Sequence, residues 1–351
     1  MKKVAFMLSI AALLALAVPA LALPTVGGTL QLEGDWGQYG PTTVENQANV
    51  SLGFDARTRA GVELQLGNTQ TFFDGLKLDQ FQRGYLQRLG SLWNGGSQVV
   101  TTIGGLRFNY SPYVAWIGRD DSVDGISFEG FKNGPLSGAL FYTVDKTLGG
   151  KVEANLDQLN LAGTFVTDED QQAIDITGQI SPLPGAQLVG TYATADGSDI
   201  VKIDGGYSIT PQLQLVAGYR SFDPTYNAKW LNPDVDSFYE DSNPVAEYLG
   251  LRGYTAGVRT SAYGLVFSAD VDRYEWIDSG IRQDAVRFGA AKEMNLAGNT
   301  IDASYELTLP DGGEMEHEAQ AAYRAPNGLG VEALYNSEAG AQARVGMTVA
   351  F

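Results

Sequence analysis

Apolar and polar residues alternate along nearly the whole chain. The stretch GTLQLEGDW (28–36) sets leucines on one parity and Glu33 and Asp35 on the other. ANVSLGFDAR (48–57) repeats this pattern, with Asp55 on the polar parity. A period of two is that of a β-strand with one apolar and one polar face. Because no stretch shows the helical period, the sequence predicts an all-β protein.

Prolines and turn-forming residues divide this pattern into strands. After Pro24, the prolines fall between alternating stretches, as in FKNGP (131–135), SPLPGA (181–186) and APNG (325–328). The divisions give about 20 strands of about ten residues, the length that a tilted strand needs to cross a bilayer. The count becomes 18 or 16 if short segments around 146–200 merge. An even number of such strands predicts a transmembrane antiparallel up-and-down β-barrel.

The first residues have the pattern of an export signal. Lys2 and Lys3 precede an apolar run, Val4 to Val18, and Ala20-Leu21-Ala22 fits a cleavage site. The sequence therefore predicts a signal peptide over 1–22 and one barrel domain over 23–351. With no cysteine in the chain, neither a disulfide framework nor a lipid-modified cysteine is expected.

Composition narrows the classes of partner. The net charge is −18, so binding to a nucleic acid backbone is not expected. The 43 glycines, 17 tyrosines and 15 phenylalanines suit a sheet with one face in lipid and one in water. These features favour export to the outer membrane of a bacterium with two membranes.

The last residues, RVGMTVAF (344–351), resemble the C-terminal signal of bacterial outer-membrane β-barrel proteins. In that pattern a polar residue, a glycine, a hydrophobic residue and a final aromatic residue recur at fixed positions. They correspond here to Arg344, Gly346, Val349 and Phe351. The resemblance implies that the barrel-assembly machinery recognises this strand.

A looser resemblance is to the general porins, as a distant branch. In porins the third external loop follows the fifth strand, folds into the barrel and narrows it. The corresponding stretch here is FNYSPYVAWIGRDDSVDG (108–125), after a predicted strand at 98–107. The resemblance implies an inward-folded third loop, a water-filled pore and a homotrimer. The implied constriction combines loop residues with basic residues of the adjoining wall: Arg119, Asp120, Asp121 and Asp124, with Arg83 and Arg107.

The polar parity of the strands predicts the lining of the lumen. Its main candidates are Glu33, Asp35, Asp55, Glu63, Asp204, Arg259 and Asp270. A barrel of about 20 strands is too wide for side chains to fill. Because carboxylates outnumber basic residues on this parity, we expect passive, mildly cation-selective diffusion of small hydrophilic solutes and ions.

Other functions are consistent with parts of the pattern. A substrate-selective, sugar-type channel would use an aromatic track, for which Tyr110, Tyr113 and Trp116 are candidates. A structural or adhesive barrel would bind through the loop at 222–248, and a soluble exported β-solenoid also alternates. The only histidine, His317, shares parity with Tyr323 and is expected at an interface, so no enzyme and no cofactor are predicted. The carboxylates of the 222–248 loop match no defined metal site.

Overall fold

The computed structural model describes residues 25–37, 40–55, 57–66, 78–91, 98–117, 122–231, 249–296, 298–337 and 340–350. Within these ranges no helix is long and apolar enough to cross a membrane. Residues 1–24, which include the predicted signal peptide, lie outside them. The strands are β1 (Thr25–Gly37), β2 (Gly40–Asp55), β3 (Thr58–Leu66), β4 (Leu78–Ser91), β5 (Gln98–Leu106), β6 (Asn109–Ser111), β7 (Ala115–Trp116), β8 (Val123–Asn133), β9 (Leu136–Thr143), β10 (Leu148–Leu156), β11 (Leu159–Thr167), β12 (Gln172–Ile180), β13 (Ala186–Ala195), β14 (Ser198–Thr210), β15 (Leu213–Phe222), β16 (Leu251–Ala262), β17 (Leu265–Trp276), β18 (Arg282–Leu296), β19 (Asn299–Pro310), β20 (Glu316–Arg324), β21 (Leu329–Asn336) and β22 (Gly340–Ala350).

Twenty of these strands form one closed antiparallel sheet. Each strand pairs with the next one along the chain, except that β5 pairs with β8 across the β6–β7 hairpin. The first and last strands also pair, from Thr29 opposite Ala350 to Trp36 opposite Ala343. Closure leaves no sheet edge with unpaired backbone groups, which is the condition for a sheet to span a bilayer. The predicted up-and-down barrel and its strand count are confirmed.

The side chains of the barrel wall follow the predicted parity. On β12, Ile174 and Ile176 are 45% and 53% exposed, whereas Ala173 and Asp175 are only 2% and 3% exposed. Exposed apolar side chains occupy the same parity on other strands, for example Val152 on β10 and Val271 on β17. A soluble domain would show the opposite arrangement, so this barrel is a transmembrane one with a lipid-facing exterior.

The two ends of the barrel differ in the length of their connections. At one end the turns are short, as in 134–135, 157–158, 211–212 and 263–264. At the other end the longer connections 107–122 and 223–250 occur, and in outer-membrane barrels the longer connections face the exterior. We call this second end the external rim.

The third external connection folds into the lumen, as predicted. Residues 107–117, the lumen hairpin, carry β6 and β7, and most of their apolar side chains, among them Phe108, Tyr113 and Val114, are buried. They pack against inward-facing residues at the external ends of β9 to β17, including Phe141, Val166 and Ile200. The apolar core of the molecule therefore lies inside the external half of the barrel and fills part of its width.

Candidate functional site

The lumen hairpin is anchored to the inner wall by polar contacts. The Tyr110 hydroxyl donates to Glu129 Oε1 at 3.2 Å, and Thr164 Oγ1 donates to the Tyr110 carbonyl at 3.4 Å. Ser111 hydrogen-bonds the carboxylate of Asp175. These contacts join the hairpin to β8, β11 and β12, so the hairpin crosses the lumen beside this wall.

A second segment, residues 223–231, packs on the lumen hairpin. The Tyr226 hydroxyl donates to the Tyr113 carbonyl at 3.0 Å, and the Trp116 amide donates to the Trp230 carbonyl at 3.0 Å. The Trp230 ring lies edge-on to Phe108, with centroids 5.1 Å apart. We call 223–231 the rim segment. It starts the loop that the sequence identified only as long and acidic, and the rest of that loop lies outside the described residues.

Lys229 joins the rim segment to two turns of the external rim. Its ammonium donates to Asp145 Oδ2 at 2.7 Å, to Asp168 Oδ2 at 2.8 Å and to Thr147 Oγ1 at 2.9 Å. Its backbone amide donates to Gln171 Oε1 at 2.7 Å. The three ammonium donors of this lysine thus all have acceptors.

The charges at Lys229 persist over the ordinary pH range. Hydrogen bonds from Lys229 and from the Asp170 amide lower the pKa of Asp168 to about 2, so its stabilising charge is lost only as the pH falls through that value. Burial lowers the pKa of Lys229, but the bonds to Asp145 and Asp168 outweigh burial and raise it above the ordinary lysine value. The raised pKa of Lys229 therefore stabilises the folded state at every pH below the ordinary lysine pKa, and this stabilisation is lost only in strong alkali.

A second cluster lies where the lumen hairpin leaves the wall. Glu63 on β3 pairs with Arg83 Nε on β4 at 3.2 Å and with Arg107 Nη1 at the start of the hairpin. The three side chains are only 12–18% exposed. Arg83 also lies 4.3 Å from the centre of the Tyr85 ring. Two guanidiniums thus share one carboxylate where the hairpin leaves the wall.

Further ion pairs follow the inner wall around the barrel. Asp204 on β14 lies 3.6 Å from Lys202 and 3.8 Å from Arg220. Lys151 and Glu153 on β10 pair at 2.7 Å. On β17 and β18, Asp272 and Arg287 pair at 2.6 Å, beside the buried Asp270.

The structure brings together some of the residues predicted from the sequence. Glu63, Arg83 and Arg107 form one cluster, a contact that parity alone did not predict. Asp204 and Asp270 share their strand faces with buried inward residues, and Arg259 lies opposite Ser268 on the same parity as Asp270.

Other predicted residues lie elsewhere or outside the described ranges. Asp124 is the second residue of β8 and has the parity opposite to that of the buried Ser127. Glu33 and Asp35 lie on β1 opposite Gly346 and Arg344, and Asp55 ends β2. Val349 lies opposite Leu30 on the closing strand pair. The residues outside the described ranges are Arg119, Asp120, Asp121 and Phe351.

Several residues of the site were missed by the sequence analysis. Lys229 lies in a loop, where no periodicity shows what a side chain contacts. Arg220 and Arg287 stand on the inward parity of β15 and β18 and could have been found by extending the parity count. His317 lies on the outward parity, where its Nδ1 shares a hydrogen bond with the Tyr305 hydroxyl at 2.7 Å.

Solved structures with a similar fold are outer-membrane barrels. OpdK of Pseudomonas aeruginosa, solved with vanillate, matches with a TM-score of 0.52 at 9% identity, over 93% of this chain and 99% of that one. Another structure of the outer membrane protein OpdK matches with a TM-score of 0.51 at 8% identity, over 93% and 99%. A BenF-like porin from Pseudomonas fluorescens Pf-5 matches with a TM-score of 0.47 at 9% identity, over 93% and 98%.

No protein-family model and no curated protein matches the chain. At these identities the OpdK matches show the fold, which is that of an outer-membrane porin barrel. The closed sheet, the apolar exterior and the charged lumen described above are the features of a protein of the bacterial outer membrane.

Proposed function

We propose that the protein is an outer-membrane channel for passive diffusion of small hydrophilic solutes and ions, with a mild preference for cations. The observation that carries this proposal is a closed 20-stranded barrel whose inner wall is charged and whose width is reduced by the lumen hairpin. A barrel of this size leaves an aqueous path beside such a hairpin. The partners that we propose are outer-membrane lipid, the barrel-assembly machinery at 344–351, and two further copies in a homotrimer.

The cation preference follows from carboxylates that lack a basic partner. Within the described ranges, Glu129, Asp175 and Asp270 form no ion pair within 4.0 Å. Of the inward cations, Lys151, Lys202, Arg220 and Arg287 each have a carboxylate within that distance, whereas Arg259 has none among the described residues. Asp175 and Asp270 are buried and Glu129 is partly exposed, so Glu129 is the one of the three that would act directly on solutes, attracting cations and repelling anions.

A substrate-selective channel is the second candidate. Phe108, Tyr110 and Phe141 stack in the lumen, with centroids 4.2–5.8 Å apart. Tyr110 is partly exposed, whereas Tyr113 is buried and presents little ring surface to a solute. The similar barrel of OpdK was solved with vanillate, an aromatic compound. Phe108 and Phe141 are buried here, so Tyr110 is the ring of this stack that would meet a small aromatic solute.

The test is single-channel recording of the purified, folded protein in a planar bilayer with a salt gradient. We expect stepwise openings and a cation-selective reversal potential. A solute that blocks these steps at low concentration would favour the substrate-selective candidate. Absence of steps from folded protein would contradict both candidates and favour an adhesive or structural barrel.

A substitution at Glu63 tests the role of the lumen charges. Glu63→Gln leaves Arg83 and Arg107 without their shared carboxylate, so we expect the reversal potential to shift towards that of an anion-selective pore. The matched control is Glu275→Gln, which removes one carboxylate from the outward parity of β17. Equal reversal potentials for the two variants would contradict a selective role for the Glu63 cluster.

A further inference from the structure

The rim segment connects the external rim to the lumen hairpin. On its rim side, Lys229 binds the turns at 144–147 and 168–171, and Asn227, two residues earlier, accepts a hydrogen bond at its carbonyl from Gln171 Nε2. On its lumen side, the adjacent Trp230 accepts a hydrogen bond from the Trp116 amide of β7. The residue that anchors the segment to the rim is therefore followed directly by the residue that contacts the hairpin.

The contact between Trp230 and the hairpin covers the free side of β7. Trp116 pairs with Asn109 across the hairpin through the two-stranded sheet, and its amide is directed to Trp230. The Tyr226 hydroxyl holds the hairpin at Tyr113, which is 4% exposed. The hairpin is thus held between the β8–β12 wall and the rim segment.

We propose that the rim segment forms a second wall of the constriction, and that Lys229 fixes the width of the pore by anchoring this segment to the rim. This inference rests on the proposed channel function and names the residue that sets its size limit. The solutes affected are hydrophilic molecules near the size limit of the pore, whose passage depends on how far the hairpin and the rim segment extend across the lumen.

The charged groups around Lys229 determine how the rim segment responds when the lysine charge is lost. Asp145 and Asp168 belong to different turns and both approach the same ammonium. Without that ammonium the two carboxylates repel each other, and the Lys229 side chain no longer holds the rim segment to the rim. Loss of the lysine charge should therefore widen the path and let the hairpin move.

The experiment compares Lys229→Met with Lys146→Met. Lys146 pairs with Glu169 at 2.6 Å between the same two turns, but it is exposed and makes no contact with the rim segment among the described residues. Each variant removes one positive charge from the same rim. Recording in 1 M KCl, where the Debye length is about 3 Å, screens the change in mouth charge.

We expect larger unitary conductance for Lys229→Met, and faster swelling of proteoliposomes in sugars that the unmodified channel excludes. We expect Lys146→Met to have the same unitary conductance and the same swelling rates as the unmodified protein. Amide hydrogen exchange of the lumen hairpin should be faster in Lys229→Met alone, because the Trp116 amide loses its fixed acceptor.

The outcomes separate this inference from the proposed function. If the unmodified protein conducts and Lys229→Met has the same conductance and size limit, the inference is wrong and the function stands. If the unmodified protein does not conduct, the channel function itself fails. If Lys229→Met does not fold, Gln171→Leu is the alternative variant, because it removes the two uncharged hydrogen bonds between Gln171 and the rim segment. An unchanged size limit in Gln171→Leu would also overturn the inference.

Discussion

Asp272 and Asp284 each accept two hydrogen bonds from one guanidinium, in two different environments. Arg287 donates to Asp272 at 2.6 and 3.2 Å inside the barrel, where the carboxylate is fully buried. Arg273 donates to Asp284 at 2.9 and 2.7 Å on the outward parity, near the external ends of β17 and β18, where the two side chains are 63% and 39% exposed. Thr255 adds a third donor to Asp272 at 2.7 Å. The same geometry thus occurs with and without solvent screening.

Asp272→Asn should therefore destabilise the barrel strongly. The substitution keeps the side-chain shape but leaves Arg287 without its buried counter-charge, which costs about 3 kcal/mol of unfolding free energy. The measurement is the urea midpoint of the barrel in micelles. Asp284→Asn is the control, with a much smaller shift because solvent screens that pair; equal shifts would show that burial does not determine the loss.

At the scale of elements, strands of alternating parity are joined by tight turns with left-handed residues. In the β16–β17 turn, Tyr263 and Gly264 have φ values of 54° and 74°. Positive φ at both central positions is the type I′ arrangement, whose twist matches that of paired strands. The Tyr263 side chain is 98% exposed. Packing of this side chain therefore does not explain why the residue adopts a left-handed backbone conformation.

Gly264→Ala should weaken this hairpin. A Cβ at Gly264 would meet no atom within 4 Å, so the expected loss of about 1 kcal/mol comes from the left-handed backbone alone. Gly190→Ala on β13 is the control, since its Cβ position is equally open and its backbone is extended. Urea midpoints of both variants check this, and an unshifted midpoint for Gly264→Ala would contradict the assignment of strain to the turn.

At the scale of the whole molecule, the barrel is apolar outside and polar inside. Outward tyrosines such as Tyr192, Tyr254 and Tyr335 are 43–55% exposed, as expected of rings at the membrane interfaces. Ile176, at the middle of β12, is 53% exposed and aliphatic, as expected of a side chain in the hydrocarbon region. The stability of the barrel therefore depends on the bilayer around it.

Ile176→Arg should disturb insertion into the membrane. A guanidinium on the lipid face at mid-depth costs ~2–4 kcal/mol. Gln179→Arg, on the inward parity of the same strand, places the same side chain in the lumen and serves as control. Folded fractions in vesicles, read from heat-modifiable migration on gels, distinguish the two, and equal fractions would mean that Ile176 does not face lipid.

The strands, their faces and their turns could be predicted from the sequence because they depend on neighbours along the chain. A period of two fixes the face of every side chain within a strand, and proline or a left-handed glycine limits its length. The strand count, the closed barrel and the place of the inward third loop followed from these local rules, with the porin resemblance supplying the direction of the loop.

The tertiary structure alone decided which charges meet and which loop segments narrow the lumen. Glu63 and Arg107 are 44 positions apart, and Lys229 lies 61 and 84 positions from its two carboxylates. Such contacts depend on the closure of the sheet and on packing in the lumen, neither of which leaves a period in the sequence. Local pattern therefore determined the barrel, and packing across its interior determined which segments occupy the lumen.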